Sequence, residues 1–218
     1  AVRDKCFPLE HFSAYLQKGY YPFGVEGFNS YYQRIESIAD LLLNIELPQL
    51  RGVDVGNIRK LKALLAVIST EVPMLVDVSK LSAFIGVSRI TLLAYLQYLH
   101  EAKLIRLLYS DDLSVKKMQK PDKILMENTN LLQALSLKEP NIGTMRETFF
   151  CNQLGYKHQV EYNKSGDFLI DHRLVFEIGG KAKDGKQVAQ NENAYIAADD
   201  IDYPMGNKLP LWMFGLMY

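Results

Sequence analysis

The chain has 218 residues, enough for two small domains or one large one, and a 48% hydrophobic share that supports real cores. Lys plus Arg equals Asp plus Glu at 25 each, which excludes whole-chain basicity as an argument for nucleic acid; any such binding needs a local patch. Cys6 and Cys151 lie far apart without a CxxC context, which points to a reduced, cytoplasmic setting, and no signal peptide or bilayer-length apolar run is present, which predicts no membrane partner. The chain begins AVRDKC without an initiator Met, as a fragment or processed chain would.

In chain order, Leu9 to Tyr21 reads as a helix with Phe12, Tyr15 and Leu16 on one face, ended by Gly19-Tyr20-Tyr21-Pro22. Asn29 to Leu47 reads as a second helix, with Tyr31, Ile35, Ile38, Ala39 and Leu42 inward and Pro48 after it. Asn57 is the expected cap of a third, Ile58 to Ser69. After Pro73, Ser79 to Tyr109 carries a helix-turn-helix and the first strand of a wing. Leu81, Phe84 and Ile85 form one stripe, Gly86 breaks the helix, and Ser88 caps the next through the amide of Thr91. Leu92, Tyr95, Leu96 and Leu99 make the inner face of that second helix, and Leu104 to Tyr109 is a strand. Asp111 to Pro121 is a charged turn, Asp122 to Glu127 the return strand, and Asn128 to Leu137 a short helix.

Pro140-Asn141-Ile142-Gly143 punctuates the chain, and a different rhythm follows. Thr144 to Leu154 is helical, and Lys157 to Tyr162, Gly166 to Asp171 and Arg173 to Ile178 are strands, the last two joined at Asp171-His172. Gly179 to Gly185 is a Gly/Lys loop, Lys186 to Ala198 a helix, and Leu209 to Met217 a strand. The fold class expected is α/β in the α+β sense. A helical lid-like part (1–56) and a winged helix-turn-helix (57–136) precede a small αβββαβ domain (137–218).

The segments FSAYLQKGYYP, DKILMENTNLLQAL, GTMRETFFCNQL, GDFLID and VFEIGGKAKDGKQV, with the helix-turn-helix, resemble the C-terminal region of a family of bacterial and archaeal AAA-type ATPases common in Bacteroidetes. In that family a P-loop domain and a helical lid precede a winged helix and a domain of unknown function with a restriction-endonuclease-like fold. The resemblance covers almost the whole chain and is strongest from Asp122 onward. It implies that ATP is bound only through a P-loop domain not contained in these residues. It also implies that this ATPase domain is a partner in cis, and that a homo-oligomer is a further possible state.

The endonuclease-like resemblance implies a divalent ion, Mg²⁺ foremost, held by Asp167 and Glu177 on neighbouring strands, with Glu147 on the preceding helix as a further ligand and Gln187 as a nearby polar group. Those enzymes place a Lys two residues past the Glu. Here Gly179 stands at that position, and the nearest cations are Lys181, Lys183 and Lys186 in the loop, of which Lys181 is the nearest in sequence. Cleavage would then use Glu147, Asp167, Glu177, Lys181 and Gln187, and the alternative is a polar cluster with no chemistry of its own. Gly180 to Lys186 also fits G-x-x-x-x-G-K, but Gln187 replaces the Ser or Thr that binds Mg²⁺, and too little chain follows for a nucleotide domain.

For nucleic acid, the outward face of the second reading helix offers Arg89, Ile90, Leu93, Ala94, Gln97, Tyr98 and Glu101, with a single cation. The wing adds Lys116, Lys117, Lys120 and Lys123. The apolar character of the helix favours a protein-facing surface. The reading that follows is a non-catalytic interaction and recognition region binding protein or nucleic acid, with a metal-dependent phosphodiesterase as the alternative.

Overall fold

The structure is a computed structural model, and it describes residues 7–26, 29–110, 120–185 and 192–217. Helix α1 (Pro8–Lys18) buries Phe12 and Leu16 and is followed by a 3-10 turn, Pro22–Glu26. Helix α2 (Tyr31–Leu41) runs through a π-helical turn, Leu42–Glu46, into α3 (Leu47–Arg51), which Gly52 ends in the left-handed conformation. Ile38 faces solvent; the buried stripe of α2 is Tyr31, Ile35 and Ala39.

Helix α4 (Val55–Glu71) starts earlier than its expected cap. Asp54 is the cap, and its carboxylate accepts the amide of Asn57, because Asn57 already lies inside the first turn. Leu61, Leu64, Leu65 and Ile68 are buried. Then come a two-residue strand β1 (Met74–Leu75), α5 (Val78–Ile85), α6 (Arg89–Glu101), β2 (Ile105–Leu108) and β3 (Lys123–Met126). Gly86 takes the left-handed conformation between α5 and α6, and Ser88 Oγ accepts the amide of Thr91 at 3.0 Å. The three strands form an antiparallel sheet in the order β1-β3-β2. Within α5 the expected stripe is only partly inward: Leu81 and Ile85 are buried, whereas Phe84 is 74% exposed.

Helix α7 (Thr129–Leu135) is capped by Asn128, whose side-chain oxygen accepts from the amides of Asn130 and Leu131. Helix α8 (Ile142–Leu154) is capped by Asn141. The second sheet follows: β4 (Val160–Tyr162), β5 (Phe168–Ile170), β6 (Leu174–Gly179), β7 (Ala194–Ala198) and β8 (Lys208–Pro210), in that spatial order. β4, β5 and β6 pair antiparallel; β6, β7 and β8 pair parallel. Asp171 and His172 both take positive φ, and Arg173 N donates to Ile170 O at 3.0 Å, the tight hairpin expected at that dipeptide.

Two expectations for the tail are overturned. Residues 194–198 of the supposed helix form β7, because Ala194, Ile196, Ala197 and Ala198 are all buried in the sheet; residues 186–191 lie outside the described set. The supposed last strand is short: β8 stops at Pro210, and Leu211–Leu216 wind into a 3-10 helix that sets Leu211 and Phe214 against the core.

One hydrophobic cluster runs from Phe12 through Leu92, Ile124 and Phe150 to Phe214, crossing both expected domain boundaries. The two sheets also touch: Tyr162 N donates to Tyr109 O at 2.9 Å, and Ser110 bridges to Tyr162. The two halves are therefore cemented by backbone as well as by side chains. Among the described residues no single helix is long and apolar enough to cross a membrane.

Candidate functional site

Strand β6 alternates, so its side chains divide between the two faces of the sheet. Phe176 turns toward α8, with its ring 5.0 Å from that of Phe150, and Glu177 therefore turns the other way, with Val175. Continuing the β5–β6 register sets Asp167 across from Glu177. Asp167 Oδ2 accepts the amide of Ile178 at 2.6 Å, which fixes its carboxylate to the backbone of β6.

Glu177 is 1% exposed. Its Oε1 pairs with Nζ of Lys183 at 2.8 Å, and its Oε2 is buried without a hydrogen-bond partner among the described residues. That bond to the carboxylate holds the Lys183 ammonium above the usual lysine range, against the opposing effect of burial. A side chain at Gly179 would meet the stem of Lys183 at 2.8–2.9 Å, so the missing Cβ makes the room through which Lys183 folds back onto Glu177. The cation beside Glu177 is thus Lys183. Lys181, the cation named from the sequence, is exposed, and among the described residues its carbonyl accepts from Lys208 Nζ at 3.0 Å. Gln187 lies outside the described residues.

Glu147 projects from α8, on the side of the sheet opposite to that of Glu177. It pairs with Lys123 of β3 at 2.5 Å, and the Lys123 ammonium also lies 5.1 Å from the centre of the Phe168 ring. Burial raises the Glu147 carboxyl above its usual value; Lys123 opposes this, and the negative charge of Asp167 adds to it. The structure therefore brings Asp167, Glu177 and Lys183 together, and links Glu147 to them through the field rather than through a shared ligand position.

A resident Mg²⁺ needs several oxygens converging on one point. Among the described residues no three acidic, histidine or cysteine side chains do so, and each of the three carboxylates already has a partner within the chain. The described residues by themselves do not assemble such a site.

Lys123 was expected on the solvent face of the wing. It is instead 7% exposed, because both faces of β3 are covered. Sequence reasoning missed it as the partner of Glu147, although an acid on a helix packed against a sheet is a signal that some cation must be near. A second buried pair was missed as well: Arg106 of β2 binds Glu127 at 2.6 Å and donates to the carbonyl of Cys151 at 3.2 Å. Packing around it leaves the Cys151 thiol fully buried and pushed up to about 12, an inert core residue.

On the helix-turn-helix, Arg89 and Lys120 are exposed, while Lys116 and Lys117 lie outside the described residues. Leu93, Ala94 and Tyr98 are only partly exposed, and Leu93 and Tyr98 pack against the core. Arg51 at the end of α3 reaches the C-terminal half of the reading helix, where it pairs with Glu101 and sits 5.5 Å over the Tyr98 ring, while Gln97 bonds Glu101 at 2.9 Å. Beside the same pair of helices, Ala66, Val67, Met74, Leu81, Phe84 and Leu137 line an apolar groove of about 570 Å³. Phe84 and Leu137 are 74% and 82% exposed at its edge.

No curated protein and no solved structure matches the chain. Residues 9–141, which hold α1 to α7 and the three-stranded sheet and end at the Asn141 cap of α8, match a family described as Domain of unknown function (DUF8612). The match spans more than half of the sequence and takes in the helix-turn-helix, the apolar groove and Lys123, so the chain belongs to that family.

Proposed function

We propose that this chain is a protein-docking and recognition region, non-catalytic by itself, of the kind that its resemblance places beside the P-loop motor of an AAA-type ATPase. The carrying observation is the groove beside the helix-turn-helix, edged by the exposed rings and branches of Phe84 and Leu137. Large exposed apolar side chains around a concave surface are suited to a protein partner. A nucleic-acid partner needs cations along its phosphates, and the exposed start of the reading helix offers Arg89 next to an 83% exposed Ile90. The internal pairing of Glu147, Asp167 and Glu177 supports the non-catalytic side of the reading.

The test supplies the P-loop module of such an ATPase, fused ahead of the chain or added in trans, and measures association by calorimetry and by ATPase rate. Phe84→Asp should abolish association, and Arg89→Ala with Lys120→Ala should leave it intact. The opposite pattern, salt-dependent duplex binding lost with the two cations, would overturn the docking reading. Cutting of DNA or RNA with Mg²⁺ or Mn²⁺ that disappears in Glu177→Ala would overturn the non-catalytic one.

A further inference from the structure

Helices α1 and α8 and the C-terminal 3-10 helix border a second cleft of about 570 Å³, within the range of small-molecule sites. Its walls are rings: Phe12, Tyr15, Tyr20, Phe149, Tyr156 and Trp212. Their polar ends are largely occupied inside the protein. Trp212 Nε1 donates to Ile201 O at 3.2 Å, the hydroxyls of Tyr20 and Tyr156 bond each other, and Tyr15 OH receives Gln153 Nε2 at 3.1 Å. What these residues present to the cleft is ring surface.

Gln153 also lines the cleft and is 9% exposed. Its amide nitrogen is committed to Tyr15 OH and to Asn152 Oδ1, at 3.1 and 2.8 Å. That fixes the orientation of the amide and leaves its carbonyl oxygen without a partner among the described residues. The exposed His11 imidazole also lines the cleft, whereas no Asp, Glu, Lys or Arg does. The site therefore offers stacking faces, the Gln153 acceptor, an imidazole at its rim and no lysine or arginine to pair with a phosphate.

We propose that this cleft binds a neutral, planar heteroaromatic compound carrying an N–H donor on its edge, the chemistry of a nucleobase, stacked against the rings with its N–H on Gln153 Oε1. Stacking of a base on an aromatic side chain is favourable whatever the base, and the Gln153 acceptor favours those with an amino or imino hydrogen. A free base or nucleoside meets this description. A nucleotide strand shares the ring but brings phosphates for which the cleft has no lysine or arginine.

Trp212 is the chain's one tryptophan, so its emission reports the site directly. Adenosine titrated into the whole protein should change that emission saturably. ATP should bind no more tightly than adenosine, and N6,N6-dimethyladenosine, which lacks the amino hydrogens, should bind about tenfold more weakly, the loss of one hydrogen bond. Gln153→Leu should weaken adenosine by a similar factor. Because Gln153 also holds Tyr15 and Asn152, Tyr156→Ala serves as a second variant, assayed at a temperature where circular dichroism shows it folded, since Tyr156 also bonds Tyr20 and lies under Arg106: it removes one ring wall and should weaken binding several-fold. No saturable response to adenosine, guanosine or cytidine would overturn the proposal. So would equal binding of adenosine and its dimethyl analogue, or a salt-dependent preference for oligo(dA) over adenosine.

Discussion

Nζ of Lys123 lies 2.5 Å from Oε2 of Glu147, joining the middle strand of the three-stranded sheet to the helix packed on the second sheet. Both side chains are largely buried, at 8% and 17% exposure. Removing one member of such a pair leaves an uncompensated charge in low dielectric, whereas removing both does not. Lys123→Met should therefore cost about 3–5 kcal/mol of unfolding free energy. The double variant Lys123→Met/Glu147→Leu should recover most of it. Urea unfolding followed by circular dichroism measures both, and equal losses in single and double variants would show that the pair is not what Lys123 contributes.

The same pair sets a pH dependence. Burial holds the Glu147 carboxyl above its ordinary value of 4.5 in the folded protein. The folded state thus binds a proton that the unfolded state has already released, so this group's contribution is present below pH 4.5 and is lost as pH rises through the folded value. Without Lys123 the shift is larger, and the loss at neutral pH deeper. Lys123→Met should accordingly be closest to the native protein in stability near pH 4.5 and furthest from it near pH 7.5. A stability difference that is flat across that range would contradict the assignment.

How much of this was legible beforehand depended on whether a feature is local. Ser88, Gly86 and the stripe Leu92, Tyr95, Leu96 and Leu99 act within one or two turns of chain, so the helix-turn-helix was readable, except that Phe84, expected in the buried stripe, is exposed. So was the Asp171-His172 hairpin. Lys123 and Lys183 were not, because what makes each of them structural is a partner 24 residues away in one case and the empty space at Gly179 in the other. The segment Ala194–Ala198 has a composition that suits either a helix or a buried strand, and pairing with β6 on one side and β8 on the other decides it. The aromatic cleft was invisible as a site. Phe149 and Trp212 look like ordinary core residues until α1 and the 3-10 helix are seen to leave a space between them.

Gly155 gives a purely steric prediction. It closes α8 with an ordinary negative φ of −66°, so backbone strain is not at issue. A Cβ there would stand 1.5 Å from a terminal nitrogen of Arg106, forcing the guanidinium off Glu127 and off the carbonyl of Cys151. Gly155→Ala should destabilise the protein by about 3 kcal/mol or more, as breaking a buried ion pair does, although alanine ordinarily strengthens a helix end relative to glycine. Gly155→Ala combined with Arg106→Met and Glu127→Leu should lose less than Gly155→Ala alone. Thermal and urea unfolding of the set would reveal it, and a neutral Gly155→Ala would mean that Arg106 relaxes without cost.

Lys183 and Lys181 stand two residues apart and should answer very differently to the same change. Lys183→Met leaves Glu177, at 1% exposure, with both oxygens unpaired among the described residues. Removing the partner of a buried carboxylate is costly, but the Lys183 side chain is 35% exposed, so solvent screens part of the pair and the expected loss is about 1–3 kcal/mol. Lys181→Met removes only an exposed ammonium and should stay within about 0.5 kcal/mol of the native protein. Glu177→Gln on the Lys183→Met background should restore stability at neutral pH, since a neutral amide has no charge to bury. Equal effects of the two lysine variants would show that the contact at Gly179 is incidental, and that the turn after β6 is held by its backbone alone.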